Sequence, residues 1–158
     1  MNPENLIALA AGSPLRGDVL NIFGDRILTK ISGAETSGAF ALMEDLSPPR
    51  GGTPLHVHHR EDEGFYILEG HYLFEVSGER QEAHSGDFFW VRRGVTHRFL
   101  NISTESGRTL FTVNPAGLEL FFEELAAATA GRPPDPDTLA TIFQKHGLEL
   151  LGPTLQVD

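Results

Sequence analysis

The chain has 158 residues, enough for one domain with a hydrophobic core that needs neither disulfides nor a structural metal to hold it together. Hydrophobic residues at 40% and charged residues at 22% exclude wholesale disorder. The balance of 12 Lys+Arg against 22 Asp+Glu, a formal charge of −10, argues against nucleic acid or an anionic membrane surface as a partner, and the lack of cysteine excludes thiol nucleophiles, zinc fingers and iron–sulfur clusters.

Residues 1–16 read as a leader. Its six-residue apolar run, Leu6 to Ala11, has no Lys or Arg before it and so does not read as a signal peptide. No apolar run elsewhere approaches the length of a bilayer-spanning helix, so a cytoplasmic protein is expected. From residue 17 to 116 the sequence breaks into short runs of strand formers, and the reading is all-β, a sandwich or barrel. The runs are Val19 to Phe23, Arg26 to Ile31, Ala39 to Met43, Gly64 to Leu68, Tyr72 to Val76, Phe88 to Val91, His97 to Asn101 and Thr109 to Val113. Turn chemistry separates them, as in Gly24-Asp25, Pro48-Pro49, Glu69-Gly70 and Ser85-Gly86-Asp87. Phe65 and Ile67 alternate with Tyr66 and Leu68, which predicts a strand covered on both faces, outside by a helix or a second subunit.

Residues 117–158 read as a helical tail packed on the barrel. Leu118, Phe121, Phe122 and Leu125 make the stripe of an amphipathic helix ending near Gly131. Asp135 as N-cap, Pro136 at the first helical position and an apolar face of Leu139, Ile142 and Phe143 predict a second helix, closed by Gly147. This tail either caps the barrel mouth or belongs to a subunit contact.

Three of the seven histidines lie within Leu55-His56-Val57-His58-His59. On a strand, His56 and His58 project to the same face and can approach one metal ion together, with the Glu63 carboxylate in reach. His97 opens a later strand, where it shares a face with Phe99 and Asn101. A three-histidine, one-carboxylate metal site and a set of satisfied polar groups beside a solvated acidic stretch (Glu61, Asp62, Glu63) both fit these residues. His59 falls on the opposite face, His71 and His84 read as solvated, and His146 sits near a helix end; none is given a role. Phe40, Phe65 and Phe99 are candidates to line a ligand pocket. Arg92 reads as a solvated rim charge.

The spacing brings in a family pattern. Gly51 to Gly70 reads GGTPLHVHHREDEGFYILEG and resembles the first cupin motif, a glycine, His-x-His, a glutamate and a later glycine. Gly86 to Asn101 reads GDFFWVRRGVTHRFLN and resembles the second, with Gly86, Gly94, His97 and Asn101 in register. Gly51 stands one residue closer to the first histidine than the common pattern, and Arg92 replaces the motif's proline, a turn position and not a ligand. The chain is thus similar to small single-domain cupins of the conserved-barrel, quercetin dioxygenase-like kind.

That resemblance implies a double-stranded β-helix, or jelly-roll, barrel with a short C-terminal helical extension. It implies His56, His58, Glu63 and His97 as ligands of one divalent transition metal per chain, with Fe, Mn, Ni, Cu, Co and Zn all open. The activity implied is a mononuclear metal-dependent dioxygenase acting on a small enol, catechol or flavonol-like molecule, with Glu63 as ligand or as catalytic base. A metal-dependent isomerase or decarboxylase of a hydroxy-keto compound stands beside it, with Tyr66 and Tyr72 as loosely placed acid/base candidates. A non-catalytic cupin binding a small metabolite is the third reading. A homodimer is expected.

Overall fold

The computed structural model describes residues 6–157; the first five positions of the leader lie outside the described residues. Eleven strands and two helices follow one another as β1 (Leu20–Ile22), β2 (Asp25–Ile31), β3 (Ala41–Ser47), β4 (Pro54–His58), β5 (Asp62–Glu69), β6 (His71–Val76), β7 (Glu79–His84), β8 (Phe88–Val91), β9 (His97–Asn101), β10 (Gly107–Asn114), α1 (Leu118–Thr129), α2 (Pro136–Lys145) and β11 (Leu148–Thr154). One sheet has the order β1-β2-β3-β10-β5-β8 and the other β11-β4-β9-β6-β7, every pairing antiparallel. The two sheets face each other as a jelly roll. No described helix is long and apolar enough to cross a membrane.

Period-two patterning sets which side chains fill the space between the sheets. In β10, Gly107, Thr109, Phe111 and Val113 are buried while Arg108, Leu110, Thr112 and Asn114 are only partly so. Phe65, Phe74, Phe99 and Phe111 meet in the middle, with ring centroids 5.3 Å (Phe65–Phe74), 5.4 Å (Phe74–Phe99) and 5.8 Å (Phe65–Phe99) apart. Such edge-on and tilted pairs add to the burial of four large apolar groups.

Two strands, β7 and β11, carry no strand signal in the sequence. β7 is an edge strand with only Ala83 buried, so it carries charge instead of an apolar face, which also blunts the edge against mispairing. β11 returns the tail to the second sheet beside β4, so the tail is not helical throughout. Register shifts around Gly152 let that Gly-Pro-containing segment pair. Of the two covers expected for the outer face of β5, no described helix supplies one, and Tyr66 is 45% exposed in the single chain.

The helices form as their sequences dictate. The Asp135 carboxylate accepts from the Thr138 amide at 2.9 Å, with Pro136 in the first turn of α2. In α1, Leu118, Phe121 and Leu125 are buried. Glu119 fixes its entry, accepting from the amides of Gly33 and Gly117, both at 2.8 Å.

Asn101, the last residue of the second motif, is fully buried and clamps the floor of the barrel. Its amide donates to the carbonyls of Ser47 (3.1 Å), Pro48 (3.2 Å) and Glu105 (2.9 Å), and its oxygen accepts from the Ser103 amide at 3.0 Å. Asn101→Ala leaves several buried carbonyls unpaired at once and is expected to cost about 3 kcal/mol, read as a lowered urea midpoint with an unchanged m-value.

Candidate metal centre

β4 and β9 are neighbours, and His56 stands directly opposite His97 in their register. Alternation along β4 puts His58 on the same face as His56, and β5, in the facing sheet, sends Glu63 across the gap. All four are buried: His56 is 7%, His58 3%, Glu63 5% and His97 1% exposed. One ligand atom from each lies within 4.8 Å of all the others. Individual separations are 3.2 Å between the Nε2 atoms of His56 and His58, 3.3 Å from His58 Nε2 to Glu63 Oε2, and 3.0 Å from His97 Nε2 to the same oxygen.

Each imidazole is held from behind by its other nitrogen. His56 Nδ1 donates to the Pro54 carbonyl at 2.8 Å, His97 Nδ1 to the Val95 carbonyl at 3.1 Å, and His58 Nδ1 faces Glu61 Oε2 at 3.4 Å. Those partners fix the tautomer that leaves the Nε2 lone pairs pointing inward, the orientation a metal-binding histidine needs. The solvated acidic stretch expected from the sequence does not include Glu61. It is 4% exposed and backs His58, a role that three residues of separation on a tight turn conceals in the sequence.

The electrostatics are those of a crowded site. Burial, with His97 and His58 close by, lowers the His56 pKa to about 3. Burial acts to raise Glu63, but His58, His97 and His56 outweigh it and hold the carboxylate at about 2. For His58, burial lowers the pKa while Glu63 and Glu61 raise it, and the net direction is up. Inward-facing acceptor atoms thus outnumber the protons available to bridge them, and a cation satisfies the whole set. Donors bound to one ion at ~2.1 Å stand ~3 Å apart when adjacent, close to the separations found. The group can hold a metal ion.

The site opens on an apolar cavity. Phe65 and Phe99 line it, as do Phe111 and, from α1, Leu118, Phe121 and Phe122. α1 therefore roofs the space next to the histidines. Phe40 does not line it: Ala41 and Met43 are the inward residues of β3, so Phe40, one position before Ala41, falls on the outward phase and is only partly buried. Tyr66 is on the outer face, away from the site. Tyr72 is fully buried, but at the far end of the interior.

Other histidines and the rim arginine stand apart from the site. His59 is exposed and faces Glu149 at 3.2 Å, and Arg92 is exposed. His146 faces Glu124 at 2.7 Å at the end of α2. His71, Glu82 and His84 cluster on β6 and β7, where His71 is partly buried and the other two are exposed.

Comparison with known proteins agrees with this architecture. Residues 43–113 match the family described as Cupin domain. A stretch of 79 residues is 30% identical to quercetin 2,3-dioxygenase of Bacillus subtilis; it takes in 49% of this chain but only 23% of that enzyme. Among solved structures, KdgF from a Halomonas species superposes with a TM-score of 0.59 at 15% identity, over 66% of this chain and 91% of its own. The polyketide cyclase RemF from Streptomyces resistomycificus gives 0.53 at 23% identity, over 66% and 70%. All four members of the ligand set thus lie on strands of a two-sheet jelly roll, within the stretch 43–113 that matches the Cupin domain family.

Proposed function

We propose that this protein is a mononuclear metal-dependent dioxygenase acting on a small enol, catechol or flavonol-like molecule. The observation that carries the reading is the buried three-histidine, one-glutamate group at the head of a cavity walled by phenylalanines. The name of the Bacillus subtilis relative supports it, although this chain spans less than a quarter of that enzyme. His56, His58, Glu63 and His97 would hold the ion. A divalent metal there supplies Lewis acidity toward an enolate oxygen and, where redox-active, electron exchange with dioxygen. The phenylalanine walls bind a planar apolar body and keep bulk water from the reacting oxygen. Glu63 is held ionised by three imidazoles, which suits a ligand. It serves as the proton acceptor for an enol only if it swings clear of His58 and His97.

An oxygen electrode tests the reading. Protein reconstituted separately with Fe(II), Mn(II), Ni(II) and Co(II) is mixed with quercetin, and oxygen uptake matching flavonol loss is expected for at least one metal. Turnover without oxygen would shift the assignment to Lewis-acid isomerisation or decarboxylation. Metal binding with neither would leave a non-catalytic binding protein.

A second copy of the chain is proposed as partner, through the outer face of β5 and β8. Tyr66, Phe88 and Trp90 lie there side by side, 45%, 59% and 48% exposed, with Tyr66 paired to Phe88 in register. Trp90→Glu is expected to convert a dimer to a monomer in sedimentation velocity. A wild-type monomer at micromolar concentration would refute the pairing.

A further inference from the structure

The cavity has a second polar end. On β3 the alternation that buries Ala41 and Met43 also turns Asp45 inward, and on β2 Asp25 points in beside Ile27. Asp25 is 7% and Asp45 2% exposed, and both line the same cavity as His56 and Glu63. Their surroundings leave them unsatisfied. Asp45 Oδ2 accepts from the Ser47 hydroxyl at 2.8 Å, but the Oδ1 atoms of both aspartates have no hydrogen-bond partner among the described residues. The buried Tyr72 hydroxyl and Thr109 hydroxyl are equally unpartnered, and Thr109 stands directly across from Asp45 in the sheet. Among the described residues no Lys, Arg or His forms an ion pair with either aspartate.

Two buried carboxyls that line an apolar chamber, each with an unpartnered oxygen, are costly to fold, and such costs are borne where a ligand supplies what the protein lacks. We propose that Asp25 and Asp45 form the distal binding end of the cavity and accept a hydroxyl group carried by the ligand on the side away from its metal-chelating oxygens. The inference rests on the dioxygenase reading of the same chamber and narrows its substrate class.

Spacing and chemistry define that class. Along β10, Val113 pairs with Glu63 and Thr109 with Asp45, four residues apart, or ~13 Å along the strand. Phe65, Phe99 and Phe111 wall the space between. A ligand that reaches both ends presents an enol–ketone to the metal end and a hydroxyl to the other, with its apolar body against these rings. Burial raises Asp25 to about 8, helped by the charge of Asp45, and burial raises Asp45 to about 7 against the lowering contact with Ser47. Near neutral pH the pair therefore holds a proton and offers a donor together with acceptors, which matches a hydroxyl. A carboxylate or phosphate at that position would face an ionisable acid pair with no cation to balance it.

The test compares two probes that differ by a single group. 3-Hydroxyflavone carries only the chelating pair, and 3,4′-dihydroxyflavone adds one hydroxyl at the far ring. Anaerobic titration of the metal-loaded wild type is expected to show the dihydroxy compound binding ~10-fold tighter or better, the range of a hydrogen bond to a charged group. In Asp25→Asn and in Asp45→Asn that preference is expected to fall to ~2-fold or less. Equal binding of both probes to the wild type, or a preference kept in both variants, would overturn the distal site while leaving the dioxygenase reading standing. Binding of neither probe would remove that reading and this inference together. Thermal melts without any probe give a second readout: a ligand-binding pair predicts variants that melt at or above the wild-type temperature. A clear drop in both would assign the aspartates a structural role instead.

Discussion

Replacing His97 with alanine is expected to strip the protein of its metal. His97 is almost fully buried, stands across the β4–β9 pair from His56, and puts its Nε2 3.0 Å from Glu63 Oε2. Its ring is pinned by the Val95 carbonyl, so no rearrangement of a neighbour replaces it. Changes to groups that merely support a metal ligand already cost ~10–100-fold in affinity, so loss of a ligand itself is expected to exceed ~100-fold. Elemental analysis after dialysis against a mild chelator should find near one metal per wild-type chain and almost none in the variant. The stability readout is separate. Metal at ~1,000 times its Kd adds about 4 kcal/mol to the wild type by mass action, an increment the variant should lack. A His97→Ala protein that keeps its full metal load would refute the ligand assignment.

That experiment probes the part of the site most legible in the sequence. His-x-His on a strand fixes two imidazoles to one face by local geometry alone, and the second motif places His97 at the start of another strand. What spacing does not show is that β4 and β9 pair with His56 against His97, because that contact depends on the order of strands in the sheet. Glu61 and Asp45 mark the limit from the other side. Glu61 sits in a run of acids whose individual burial follows from a turn of the chain and not from composition. Asp45 lies on the inward phase of Ala41-Leu42-Met43-Glu44-Asp45, but the apolar run ends at Met43, and an acid two positions beyond it carries no local sign of burial. β7 and β11 are hidden for a related reason. An edge strand with one buried residue, and a strand carrying Gly-Pro, lack the apolar alternation by which strands are recognised. Phe40 is the reverse case: its aromatic side chain suggests a pocket, and strand phase turns it outward.

Strand phase also leads to the second large effect, in which removing a buried charge strengthens the fold as pH rises. Asp25 and Asp45 are raised to about 8 and about 7 from an ordinary value of 3.8, burial being the main cause for both. A carboxyl whose pKa is higher folded than unfolded binds more protons in the native state. Its favourable contribution is complete below the unfolded value, near 4, and is lost as pH rises through 7 to 8. The wild type therefore gives up stability across that window at this site. Asp45→Asn keeps the shape, and its oxygen can still accept from Ser47, but it has no charge to bury and relieves Asp25 of its neighbour. At pH 8 the variant is expected to exceed the wild type by about 2–4 kcal/mol, since each tenfold difference in proton affinity between folded and unfolded chain is worth about 1.4 kcal/mol and the two acids titrate together. The difference should shrink as pH falls and approach zero only below about pH 4. Urea melts of both proteins in excess chelator remove the pH dependence of metal binding, and comparing variant with wild type cancels the titration of groups that do not contact the pair. A deficit for Asp45→Asn that is the same at pH 5 and pH 8 would mean that the carboxylate is satisfied and stabilising where it stands. A gain that grows with pH would mean that the native fold tolerates two buried acids at its own expense, as expected of groups kept for what they bind.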